Sequence, residues 1–244
     1  MTAHEVFLQQ VINGFTTGSY LALIALGYTM VYGTIELINF AHGDIYALGF
    51  FISLSLLGWL GITSTLTGGQ LLWAIPGVML LTMLVTGLVN VSVDRIAYRP
   101  LRHAPRLAPL ITAIGASFAL ENIMQNWYGP GQIYYHNIFP TINLAPALLG
   151  PQSEILFTTK DIFLFAVTIP LMVALTLFAK HTKMGKAMRA TAQDRETAAM
   201  MGINVERVIM TTFFIGGALA GAAGMVVGIY LNTCTDASAF TGIS

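Results

Sequence analysis

Within the apolar run "NFAHGDIYALGF", residues 39–50, a histidine and an aspartate stand two positions apart around Gly43, with Asn39 just upstream. Imidazole and carboxylate are both metal ligands, but His42 and Asp44 have no third candidate nearby, and two ligands hold a metal poorly. They could instead pass protons, yet nothing else in the sequence extends a relay of titratable groups. Hydrogen bonding is the chemistry that remains, and two further sets of residues offer it. Gln9, Asn13, Thr17 and Tyr20 recur at three- and four-residue spacing, and Ser117, Glu121 and Gln125 at four, so each set forms a stripe on one helix face. Such stripes either hold helices together or line a path for a polar solute, and a carboxylate such as Glu121 marks a cavity or a partner. Asn13, Thr17, Asn39, His42, Gly43, Asp44, Ser117 and Glu121 are therefore the candidate path or gate residues. No nucleophile with its base and no metal constellation can be assembled, so neither a catalytic residue nor a cofactor is expected.

The elements that carry these residues follow from composition. Of 244 residues, 55% are hydrophobic and only 9% charged, against about a quarter charged in a soluble domain, so the chain is a membrane protein. Its zero formal net charge argues against nucleic acid as a partner. Six segments, approximately 7–31, 42–61, 71–93, 108–128, 161–179 and 208–231, are long enough to cross a hydrocarbon core of roughly 30 Å as helices. The expected fold is an all-α, polytopic helical bundle forming a single transmembrane domain over 1–244. The N-terminus lacks the basic start and cleavage site of a signal peptide and reads as a retained first span.

Ten of the eleven Lys and Arg residues lie in 95–106 and 180–207, which places both stretches in the cytoplasm and the N-terminus outside. Residues 129–160, rich in proline and poor in basic residues, become an external loop. The turn "YGTIELINFAHGD" is cytoplasmic on the same count, carries no Lys or Arg, and reads as a broken helix dipping back into the bundle. Gly14-xxx-Gly18, Gly217-xxx-Gly221 and Gly224-xxx-Gly228 allow backbones to approach closely. The lone Cys234 excludes an intrachain disulfide.

One cytoplasmic segment differs from every other connection. "KHTKMGKAMRATAQDRETAAMMGINVERV", 180–208, is rich in helix formers, places Asp194 and Glu196 at a helix start, and puts Gly202 where a helix would stop. Glu196-Thr197-Ala198-Ala199-Met200-Met201-Gly202 resembles the Glu-Ala-Ala-x-x-x-Gly core of the coupling loop of ABC importer permeases, with Thr for one Ala and without the Ile-x-Leu-Pro ending. Together with "GYTMVYGTIELINFAHGDIYALG", "DRIAYRPLR" and "ITAIGASFALEN", it makes the chain similar to LivH-type permeases, the membrane subunits of branched-chain amino acid ABC importers.

The resemblance runs from Asn13 to Gly228. It implies a bacterial inner-membrane complex with a second homologous permease, two cytoplasmic ATP-binding subunits and a periplasmic amino-acid-binding protein. It implies that 184–204 couples to the ATPases, with Arg189, Asp194, Glu196, Ala198, Ala199 and Gly202 as coupling residues, and that Ala198 and Ala199 let a docking helix enter a partner's groove. It also places "NFAHG" at a helix break, where Gly43 supplies backbone freedom and Asn39, His42 and Asp44 satisfy freed backbone groups and each other. The bundle around the first, second and fourth spans then forms the gate. ATP is hydrolysed elsewhere, consistent with the lack of a Walker-type glycine loop. Related permeases handle other neutral amino acids, urea or short amides. Members of the family continue past Ser244, so the chain reads as a fragment. The competing class is a secondary transporter or channel in which Glu36, His42, Asp44 and Glu121 move ions.

Overall fold

The computed structural model describes residues 3–35, 38–62, 69–102, 104–105, 107–129, 131, 133–146 and 155–234. Glu36, part of 129–160 and most of the segment after Leu231 lie outside the described residues. The chain forms α1 (Ala3–Ile35), α2 (His42–Trp59), α3 (Gly69–Val93), α4 (Leu107–Tyr128), α5 (Thr159–His181), α6 (Lys183–Gln193), α7 (Arg195–Met200) and α8 (Val205–Leu231). A π-helical turn (Asp94–Tyr98) and a 3₁₀ turn (Arg99–Leu101) extend α3. The fold is all-α as expected, with only two-residue strands β1 (Ile133–Tyr134) and β2 (Thr233–Cys234) pairing antiparallel among the described residues.

Among the described residues five helices are long and apolar enough to cross a membrane: α1, α3 with its extension, α4, α5 and α8. The remaining expected span, the second (42–61), is α2, which is only 18 residues long and opens with His42 and Asp44. It is buried along most of its length instead, packed against α8, α3 and α4. Such burial suits a helix apolar on every side.

The other buried helix is α8. Of its most apolar stretch 78% is buried, against 11% for α5. The physical reason lies in its glycines. A Cβ added at Gly217 would stand 2.5 Å from Asn90 Cβ on α3, and one at Gly49 of α2 would stand 2.6 Å from Gly221 Cα on α8. Backbones therefore touch where side chains would hold them apart. Gly14 and Gly18 differ: nothing lies within 4 Å of a Cβ at either, so among the described residues nothing packs on α1 at these two glycines.

The chain's two ends of the bundle are distinct. Leu156 donates its backbone N–H to Gln9 Oε1 at 2.7 Å, so the start of α1 shares one end with the 133–158 connection. Arg195 donates to the Ile35 carbonyl, so the finish of α1 shares the other end with α6 and α7. Arg102 lines a cavity of about 550 Å³ together with Thr191–Glu196, which brings both basic stretches to that second end.

Candidate functional site

The break between α1 and α2 is closed by backbone. His42 donates its N–H to the Asn39 carbonyl at 3.2 Å, and Ile45 donates to Ala41 at 3.0 Å. Gly43 lies inside the first turn of α2, and among the described residues the glycines with left-handed backbone are Gly61, Gly129 and Gly202. The expectation that Gly43 provides the flexibility of the break is therefore corrected: Gly43 has helical backbone, and the described part of the break, 38–41, ends in a turn at Ala41.

Asn39, His42 and Asp44 are all buried, but they do not bond to one another. Each reaches a different element. Asn39 Oδ1 accepts from the Tyr98 hydroxyl at 2.7 Å, on the π turn after α3. His42 Nε2 lies 3.2 Å from the Ile24 carbonyl of α1, with its ring edge-on to Tyr28. Asp44 Oδ2 accepts from Ser117 of α4, and as a carboxylate in the first turn of α2 it also meets the positive end of that helix. Compensation for burial comes from three neighbouring helices rather than from a local cluster, and α2 is pinned between them. Asp44 Oδ1 and His42 Nδ1 keep no protein partner. Among the described residues no group of three or more His, Cys, Asp or Glu stands where it could hold a metal.

The two stripes read in the sequence lie on open faces. Asn13 and Thr17 are exposed, with Asn13 Oδ1 accepting from Gln9 at 2.9 Å. The neighbouring Thr16 is buried instead and donates to Asp161 Oδ1 on α5 at 3.2 Å. Glu121, half-buried one turn beyond Ser117, accepts from Gln125 at 3.3 Å. A third stripe lies on α3 and its extension: Thr82, Thr86, Asn90 and Asp94 are all buried, with Thr86 and Asn90 against Gly217 and Gly221 of α8. Asn90 Nδ2 donates to the Phe213 carbonyl at 2.7 Å. Its strict four-residue spacing was the signal that could have found it.

The segment 183–202 forms two helices joined at Asp194. Asp194 Oδ1 accepts from the N–H groups of Glu196 and Thr197 at 2.9 and 3.1 Å, and Oδ2 from the Thr197 hydroxyl at 2.5 Å, so it caps α7. These bonds hold its carboxyl below the usual carboxylate range, the Thr197 hydroxyl contributing most. Glu196 sits exposed in the first turn. Gly202, at φ +84°, ends α7: its N–H donates to Ala199 and that of Ile203 to Ala198, both at 3.0 Å, the paired bonds of a Schellman stop. Ala198 is buried against the chain itself, so the expectation that it faces a partner's groove is corrected. Ala199 beside it is exposed, as are Met200 and Met201, each of the methionines 79%. Arg189 turns back to donate to the Ala179 carbonyl near the end of α5.

Beside this segment lies a charged cluster that spacing alone does not reveal. Arg102 Nη2 donates to both oxygens of Asp94, at 2.7 and 2.8 Å, and Nη1 to Glu206 Oε1 at 2.6 Å. Arg99 Nε stands 3.1 Å from Glu206 Oε2. The Arg102 and Asp94 side chains are 10% and 6% exposed, that of Glu206 54%. Removing one partner of a buried pair costs about 3–5 kcal/mol, whereas an exposed pair contributes roughly 0–1 kcal/mol. One half of the cluster is fixed and the other exchangeable.

Comparison with known proteins agrees with this architecture. The model of the family described as branched-chain amino acid transport system / permease component matches residues 10–244. The high-affinity branched-chain amino acid transport system permease protein LivH of Escherichia coli K12 is 39% identical over 224 residues, covering 91% of this chain and 70% of the relative. BraD of Pseudomonas aeruginosa, bearing the same description, is 39% identical over 232 residues, 91% of this chain and 71% of its own. A probable branched-chain amino acid transport permease protein LivH of Methanocaldococcus jannaschii is 29% identical over 214 residues, with shares of 84% and 61%. No solved structure matches the chain. This is a family of transporters rather than enzymes, and with five membrane-length helices among the described residues, four of them around the buried α2 and α8, the chain belongs to it, as a multi-pass membrane permease component of a bacterial branched-chain amino acid ABC transport system.

Proposed function

We propose that this chain forms one half of a membrane pathway for a branched-chain amino acid, the other half being a second homologous permease. Two cytoplasmic ATP-binding subunits dock on residues 184–204, and a periplasmic amino-acid-binding protein delivers substrate at the end closed by 129–160. The observation that carries this reading is the build of α6 and α7: a charged helix pair outside the membrane-length helices, capped at Asp194, stopped at Gly202 and presenting Met200 and Met201 outward. Exposed methionines adapt to a partner's surface. A ligand or partner shifts a two-state bundle only through contacts that differ between the states, and α7 is joined through Gly202 directly to α8.

The open face of α1 supports the second permease. Gly14 and Gly18 admit close approach, and exposed Asn13 and Thr17 beside them offer polar groups to a substrate passing between the halves. His42, Asp44, Ser117 and Glu121 line the inner side of that gate through α2 and α4.

Replacing Gly202 with Val tests the reading, because a β-branched residue resists the positive φ that the stop requires. In the complete reconstituted transporter this variant should insert normally yet lose uptake relative to ATP hydrolysis, or release the ATP-binding subunits. Parental uptake and assembly in Gly202→Val, and in deletions across 190–202, would leave the segment a mere connection.

A further inference from the structure

We propose that Arg102 is a positioning residue of the transport cycle: its fork ties the start of α8, just beyond the coupling segment, to the π turn after α3 and through it to the α1–α2 break. The inference rests on the coupling role proposed for 184–204.

Chain geometry is arranged to make the tie. In an unbroken α-helix Asp94 and Arg102 would be about 12 Å apart along the axis, too far to pair. The π turn at 94–98 and the 3₁₀ turn at 99–101 bend the chain so that Arg102 returns onto Asp94. Single π turns in helices are frequent at functional sites. The same turn carries Tyr98, whose hydroxyl holds Asn39 beside the break and whose ring lies 5.6 Å from that of Phe213. Glu206 stands in the first turn of α8, four residues beyond the stop at Gly202. A shift of α7 therefore moves Glu206 first. Arg102, gripping Glu206 with one nitrogen and Asp94 with the other, passes that shift to the π turn and to Asn39. Because the Glu206 half is exposed and the Asp94 half buried, the link opens at Glu206 while Arg102 stays seated. Lysine cannot reproduce a two-pronged grip, so the fork itself is required.

The test uses the complete transporter in proteoliposomes, with both permeases, both ATP-binding subunits and the binding protein, and reads substrate taken up per ATP hydrolysed. Glu206→Gln and Arg102→Lys should each lower that ratio by at least about fivefold, the low end of coupling between linked sites, with the ATP-binding subunits still co-purifying. The double variant should be no worse than the worse single one, because both changes break one link. Additive losses would overturn the inference, as would a parental ratio in Arg102→Lys. Should Arg102→Lys fail to fold, Glu206→Gln decides alone, its carboxylate being half-exposed. A parental ratio in Glu206→Gln while Gly202→Val is uncoupled would remove the clamp and spare the coupling segment; parental ratios in both would remove the coupling reading too.

Discussion

Two glycine-to-alanine changes of equal chemistry should have opposite outcomes. In Gly49→Ala the new methyl would stand 2.6 Å from Gly221 Cα and 2.8 Å from its carbonyl oxygen, whereas ordinary contact begins at 3.4 Å. The atoms in the way are backbone of α8, with no rotamer to turn aside, so α2 and α8 must part by close to 1 Å along most of their shared face. Overpacking of this kind costs about 1–3 kcal/mol. In Gly14→Ala nothing lies within 4 Å, and the exchange gains up to about 1 kcal/mol of helix propensity. The gap between the two variants is then about 1–4 kcal/mol, or roughly 5- to 700-fold in the ratio of folded to unfolded chain. Titration of the purified chain with denaturing detergent, followed by near-ultraviolet circular dichroism, measures it. If both variants unfold at the same detergent fraction, or Gly14→Ala is the weaker, the contact between α2 and α8 is not what holds the centre of this bundle.

Ser117→Ala should cost about 1–3 kcal/mol in the same titration, because it leaves Asp44 with both buried carboxyl oxygens unpartnered; loss of no stability would show that Asp44 is satisfied otherwise. In a Cys234→Ser background, an impermeant thiol reagent should label Thr141→Cys, on an exposed part of the 133–146 stretch, from outside intact cells, and Met200→Cys only in inverted vesicles. Labelling of Met200→Cys from outside would reverse the orientation that the Lys and Arg distribution requires.

Periodicity made the long helices legible, because an apolar stretch of membrane length has few alternatives to a helix. It did not distinguish a helix that faces lipid from one enclosed by others. α2 and α8 read like the rest, and only their place in the bundle shows them to be the centre. Glycine spacing was equally mute about partners: Gly14-xxx-Gly18 and Gly217-xxx-Gly221 are the same pattern, yet one is open and the other pressed against Thr86 and Asn90. The buried stripe of α3 was available to the same four-residue count that found the one on α1, but hydroxyls and an amide scattered in an apolar run draw less attention than charges. The grip of Arg102 on Asp94 was out of reach, since eight residues apart is not a helical neighbour relation until a π turn makes it one.

At the break the sequence posed the correct question and local reasoning answered it too locally. Buried polar groups must be satisfied, and the nearest polar groups in sequence were one another. In the folded chain Asn39, His42 and Asp44 diverge because successive residues of a turn and a first helical turn point in different directions, each toward a different neighbour. That divergence has a mechanical consequence. α8 is an uninterrupted helix of 27 residues, about 40 Å long, with Glu206 at one end and Gly221 seated on Gly49 of α2 further along. A rigid rod in backbone contact with α2 moves it, and α2 cannot move without straining its bonds to α1, to α4 and to the π turn. α5, by contrast, is mostly exposed and is joined to the same segment at Thr182. Of the two helices flanking the segment, α8 is thus the one whose displacement reaches the buried polar residues.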